Sequence, residues 1–156
     1  MDSGNTEIQA ELHRLLAEMG SDFCALGLLD PESRILSWKW AAGNVSDRYR
    51  SIEDRPGRGF HQSVLKIGRA MTLQVSELIA ARQVHEYPIL LAEKLRSAYA
   101  VPLQQGVKHK GVLLIGDRVR RMYRPDDRNV AGRFGERLMS AVLVDLSDSS
   151  TGTQDL

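Results

Sequence analysis

The chain reads as an α+β fold: an antiparallel β-sheet with two terminal helices packed on one face and a ligand pocket on the other. Three observations predict it. The elements run in the order helix, two hairpin strands, irregular excursion, two more hairpin strands and long helix. The strand candidates are short apolar runs closed by turn residues, as antiparallel pairs require. Both terminal helices carry a one-sided apolar stripe, so both can cover the same sheet. With 156 residues, 42% hydrophobic and 26% charged, the expectation is one globular domain over residues 6–146, with flexible tails at 1–5 and 147–156.

Thr6 can cap the first helix, in which Ile8, Leu12, Leu15, Leu16 and Met19 share a face and Gly20 marks the end. Phe23–Leu29 is a short apolar run and reads as a buried strand. Asp30-Pro-Glu-Ser33 turns the chain, and residues 34–42 return as a second strand. Strict alternation there puts Leu36, Trp38 and Trp40 on one face. Two tryptophans in so short a strand read first as core, but a buried indole N–H needs an acceptor.

A polar stretch then leads to Arg55-Pro-Gly-Arg-Gly-Phe-His61, where Gly57 and Gly59 permit a sharp turn before a short helix that Gly68 stops. Such a helix start leaves backbone N–H groups free and carries partial positive charge, a place for a small anion; the plainer reading is a tight turn before a packing helix. Residues 70–73 are β-like, 76–84 loosely helical, and Tyr87-Pro-Ile89 enters a second short helix at 90–94. Residues 97–103 and 110–116 form the second hairpin. Arg118, Arg120, Arg121 and Arg124 make a basic loop, read as solvated, before Pro125-Asp-Asp127 opens the last helix. Its stripe is Val130, Phe134, Leu138, Ala141, Val142 and Leu146, with a polar tail from Ser147.

Several functions are disfavoured. Cys24 is the sole cysteine, which removes disulfide frameworks and CxxC motifs, and mid-strand it reads as an inert core thiol. The histidines His13, His61, His85 and His109 lack ligand spacing, so no metal site is expected. No nucleophile–base pair, Walker or Rossmann pattern appears, so no enzyme and no cofactor is expected. A net charge of +1 gives no electrostatic reason for nucleic acid or an anionic membrane as partner. The polar, acidic first residues and the lack of a long apolar run point to a cytoplasmic address.

Taken in order, Phe23–Leu29, Asp30-Pro31, the Pro56-Gly-Arg-Gly59 loop, Ser97-Ala-Tyr-Ala-Val-Pro-Leu103 and Gly111-Val-Leu-Leu-Ile-Gly116 resemble the GAF domain family of small-molecule sensors, over roughly residues 12–143. Trp38-Lys-Trp-Ala-Ala-Gly-Asn44, Arg55-Pro-Gly-Arg-Gly-Phe-His61 and Tyr87-Pro-Ile89 are similar to the stand-alone nitrate receptors of the bacterial Nre regulatory systems. That resemblance implies a nitrate site made by the Trp38 and Tyr87 side chains and the backbone N–H groups of Phe60, His61 and Ile89. It also implies action on a sensor histidine kinase in a two-component system. His61 stands where that family carries a small residue, leaving room for another small anion. Two alternatives stay open: a GAF domain for an organic ligand, and an interaction module with a vestigial pocket that forms a homodimer through the terminal helices (Leu12, Leu16, Leu138, Val142).

Overall fold

The computed structural model describes residues 3–154, with side chains placed from Gly4 to Asp145. Among these residues, six strands form one antiparallel sheet in the order β3-β2-β1-β6-β5-β4. The strands are β1 Phe23–Leu29, β2 Leu36–Ala42, β3 Glu53–Asp54, β4 Met71–Gln74, β5 Ser97–Gln105 and β6 Lys108–Asp117. Helices α1 Ser3–Met19 and α5 Pro125–Gln154 cover one face, and the short helices α2 Val64–Ile67, α3 Val75–Ala80 and α4 Pro88–Ala92 belong to the excursions that cover the other. The expected α+β arrangement is therefore observed.

Period-two alternation sorts the sheet into two cores. Cys24, Leu26, Leu113 and Ile115 meet Ile8, Leu12 and Leu15 of α1 and Phe134, Leu138 and Val142 of α5. Phe23, Ala25, Val112 and Leu114 point the other way, toward Phe60, Tyr87, Ile89 and Leu90. Of the expected dimer face, Leu12, Leu138 and Val142 are buried within the chain, whereas Leu16 is only partly buried. Leu146 lies beyond the described side chains.

β2 departs from strict alternation. Leu26 pairs with Trp40 and Gly27 with Trp38, so Lys39 is an extra residue bulged out of the ladder. The bulge puts the two tryptophans on opposite faces: Trp38 enters the excursion-side core and Trp40 packs toward α1, its Nε1–H donating to Asn5 Oδ1 at 2.9 Å. Gly27 makes room for the Trp38 ring, since a Cβ there would stand 2.9 Å from the indole Cε3.

The terminal helices run further than expected. α1 already starts at Ser3, because Gly4 lets it approach α5 closely: a Cβ on Gly4 would lie 2.7 Å from Asp145 Cβ. α5 continues through the polar stretch to Gln154, where each added residue needs only one more bond onto a helix already nucleated by packing. Met1, Asp2, Asp155 and Leu156, also assigned to tails, lie outside the described residues.

The basic loop is not simply solvated. Arg118 donates to Glu93 Oε1 at 2.8 Å, to the Glu93 carbonyl at 2.9 Å and to the Gly43 carbonyl at 3.0 Å. Arg121 reaches Asp127 at 3.1 Å and the Met19 carbonyl at 2.8 Å. Each ties elements distant in sequence together around a buried carboxylate, Glu93 or Asp117. Arg120 and Arg124 remain exposed.

Candidate oxyanion site

The site lies where the two excursions touch. Pro56-Gly57 turns the chain, and Gly59 adopts φ +60°, opening a single turn of 3-10 helix, Gly59–His61. A Cβ on Gly59 would stand 2.4 Å from the Glu86 carbonyl, and its N–H donates to Glu86 Oε1 at 2.9 Å. Glu86 immediately precedes Tyr87 and Pro88, which begin α4. The starts of two short helices are thus held side by side. Gly68, at φ +75°, ends α2 as its sequence position predicts.

Three of the expected residues form one aromatic cluster. The Phe60 ring sits edge-on to Trp38, centroids 5.5 Å apart, and edge-on to Tyr87 at 4.9 Å. The Tyr87 hydroxyl donates to Ser63 Oγ at 3.0 Å, and Ser63 in turn donates to the Gly59 carbonyl. Burial pushes the Tyr87 hydroxyl above its ordinary pKa, the Ser63 bond opposing this, so it stays a neutral donor.

Among the described residues no acceptor takes the N–H groups of Phe60, His61 or Ile89. All three belong to first turns, where the helix supplies no partner, and Phe60 and Ile89 are fully buried. Unpaired N–H groups on buried residues are costly and rare, which makes the two on Phe60 and Ile89 informative.

Trp38 is not free. Its Nε1–H donates to Asp54 Oδ2 at 3.0 Å in a buried contact, made because β3 pairs Asp54 with Leu36 beside it. Burial raises the Asp54 pKa, opposed by the Trp38 bond and by the nearby positive charges of His61 and Arg58. A cavity of about 60 Å³ adjoins this carboxylate, lined by Glu53, Asp54, Arg55, Arg58, His85, Glu86 and Pro88. His61 places its ring against the Arg34 carbonyl, Nε2 to O 2.6 Å, while Nδ1 is buried with no partner. Since a carbonyl only accepts, Nε2 carries the proton of this contact.

The sequence singled out Trp38, Phe60, His61, Tyr87 and Ile89 but not Asp54, Ser63 or Glu86. For Asp54 a signal existed: a buried indole demands an acceptor, and the polar stretch before the glycine loop contains one. Nothing in the spacing marks Ser63 or Glu86. Cys24 lies on the opposite face, its thiol pKa pushed up by burial. Among the described residues no three His, Cys, Asp or Glu side chains are grouped to hold a metal ion, and no helix is long and apolar enough to cross a membrane.

An antiparallel sheet with terminal helices on one face and short helical excursions on the other is an α+β architecture. The chain belongs to the GAF domain family, which it matches over residues 5–142. Among solved structures it resembles NreA from Staphylococcus aureus, mutated in its nitrate binding site, with 31% identity over 78% of this chain and 94% of that one, TM-score 0.68. More distant folds align as well. The GAF domain of a phosphoenolpyruvate-protein phosphotransferase from Coxiella burnetii aligns with TM-score 0.77 at 13% identity, over 96% of this chain and 88% of that one. That of a two-component sensor histidine kinase from Bacillus halodurans gives 0.68 at 16%, over 89% and 96%. No curated protein sequence matches.

Proposed function

We propose that this chain is a non-enzymatic sensor that binds nitrate or a similar small oxyanion and modulates a sensor histidine kinase. The observation that carries the reading is the set of unpaired N–H groups on Phe60, His61 and Ile89, beside the Trp38–Phe60–Tyr87 cluster. A trigonal anion offers three acceptor oxygens to such donors without requiring lysine or arginine. The likeness to a protein with a nitrate binding site supports the choice of anion. Signalling requires only that the bound anion favour one of two surface arrangements by about 1–3 kcal/mol.

One observation favours a second reading, an interaction module with a vestigial pocket: the Trp38 indole is already satisfied by Asp54. Isothermal titration with nitrate separates the two, using chloride, sulfate and nitrite as controls. Saturable binding at about one nitrate per chain, weakened in a folded Trp38→Ala protein, is expected. A folded protein, free of co-purified anion, that binds none of them contradicts the sensor reading.

A further inference from the structure

We propose that Asp54 gates the oxyanion site: its carboxylate holds the one hydrogen the Trp38 indole can give, so a charged Asp54 and a bound anion exclude each other. This rests on the nitrate reading and adds the control of the same site.

The geometry has three parts. An indole N–H is a single donor, and here it is committed at 3.0 Å. Asp54 is tethered to the site, since β3 pairs it with Leu36, two residues from Trp38 on β2. It is also only 7% exposed, so a second negative charge beside it would meet little solvent screening.

The groups facing Asp54 decide its balance. Arg58 and His61, from the glycine loop, favour its charged form. Tyr87, at the start of α4, is coupled to it by charge. Glu86 and His85, from the turn before α4, and Glu53 and Arg55, its two neighbours in the chain, share the adjoining cavity. Burial outweighs the favourable charges and shifts Asp54 toward its neutral form.

Three consequences follow from linkage. Anion entry must protonate Asp54, whose charged carboxylate otherwise keeps the indole N–H. Protonation costs less the lower the pH, so affinity rises on acidification, by up to about tenfold per pH unit where Asp54 is mostly ionised. By reciprocity, the bound anion raises the Asp54 pKa. The sensor would then report nitrate and acidity together.

Titrations with sodium nitrate at constant ionic strength, at about pH 5.5 and about pH 7.5, test this on the full chain, Asp54→Ala, Asp54→Asn and His61→Gln. The unsubstituted protein should bind about tenfold or more tightly at the lower pH. Asp54→Ala should bind more tightly than the unsubstituted protein at the higher pH and vary little between the two. His61→Gln should keep the pH dependence.

Equal nitrate affinity at both pH values, no gain in Asp54→Ala, or a pH dependence lost in His61→Gln overturns the gate while leaving the nitrate site standing. No binding by any form at either pH overturns the nitrate reading and the gate with it. Should Asp54→Ala fail to fold, the indole N–H resonance of Trp38, assigned with Trp40→Phe, reads the same contact. It should shift with pH in the unsubstituted protein and not in Asp54→Asn. A Trp38 resonance that is flat with pH overturns the gate.

Discussion

At Asp54 desolvation and charge pull in opposite directions. Burial disfavours the carboxylate, while the Trp38 N–H and the charges of Arg58 and His61 favour it, and burial is the larger effect. The sign for stability follows. A carboxyl whose pKa is raised in the folded state binds its proton more tightly there than in the unfolded chain, where the value is about 3.9. Its contribution is most favourable below that value, declines as pH rises through the folded pKa, and stays at the lower level above it. Asp54→Asn removes the buried charge and keeps an acceptor for the indole. It should therefore melt higher than the unsubstituted protein at neutral pH, with the gap closing on acidification. Thermal melts across pH check this; a gap that widens on acidification contradicts the assignment.

The site depends on two short helix starts being held against each other, and Gly59 is the hinge of that contact. Gly59→Ala must place a side chain at φ +60° and drive its Cβ to 2.4 Å from the Glu86 carbonyl. A loss of about 2 kcal/mol or more in denaturant unfolding is expected, together with loss of nitrate binding. A loss below about 0.5 kcal/mol contradicts the apposition.

The same elements show how far the sequence could be read. Periodicity located the four long strands, both terminal helices and the Gly68 stop, because burial on one face leaves a regular mark. It did not locate the Lys39 bulge, since one extra residue breaks the period without changing composition, and Trp38 and Trp40 were therefore placed on one face. β3 is two residues long, too short to carry any pattern, yet it delivers Asp54 to the indole. Arg118 and Arg121 read as part of a solvated run because Glu93 and the Met19 carbonyl, which they meet, lie elsewhere in the chain. Of the site, the aromatic residues and the free N–H groups were legible through the family resemblance. The internal occupant of Trp38 was legible only as a demand for some acceptor.

Over the whole molecule the two faces of the sheet divide the work. α1 and α5 bury the larger continuous helical surface on one side, and this leaves the short excursions on the other to form the site. Arg118 links these halves by joining Glu93, just after α4, to Gly43, at the end of β2. The excursion that carries α4 is thus anchored to the central sheet. Of the residues expected as a dimer face, Leu12, Leu138 and Val142 are buried in the core between the helices and the sheet, and Leu16 is partly buried against it.

The most direct measurement is a two-dimensional amide spectrum of the labelled protein titrated with nitrate at mildly acidic pH. Shifts concentrated on the backbone N–H signals of Phe60, His61 and Ile89 and on the Trp38 indole N–H are predicted. Saturable shifts centred elsewhere, such as the exposed basic groove of Arg34, Lys108 and Lys110, with those four signals unmoved, would contradict the account.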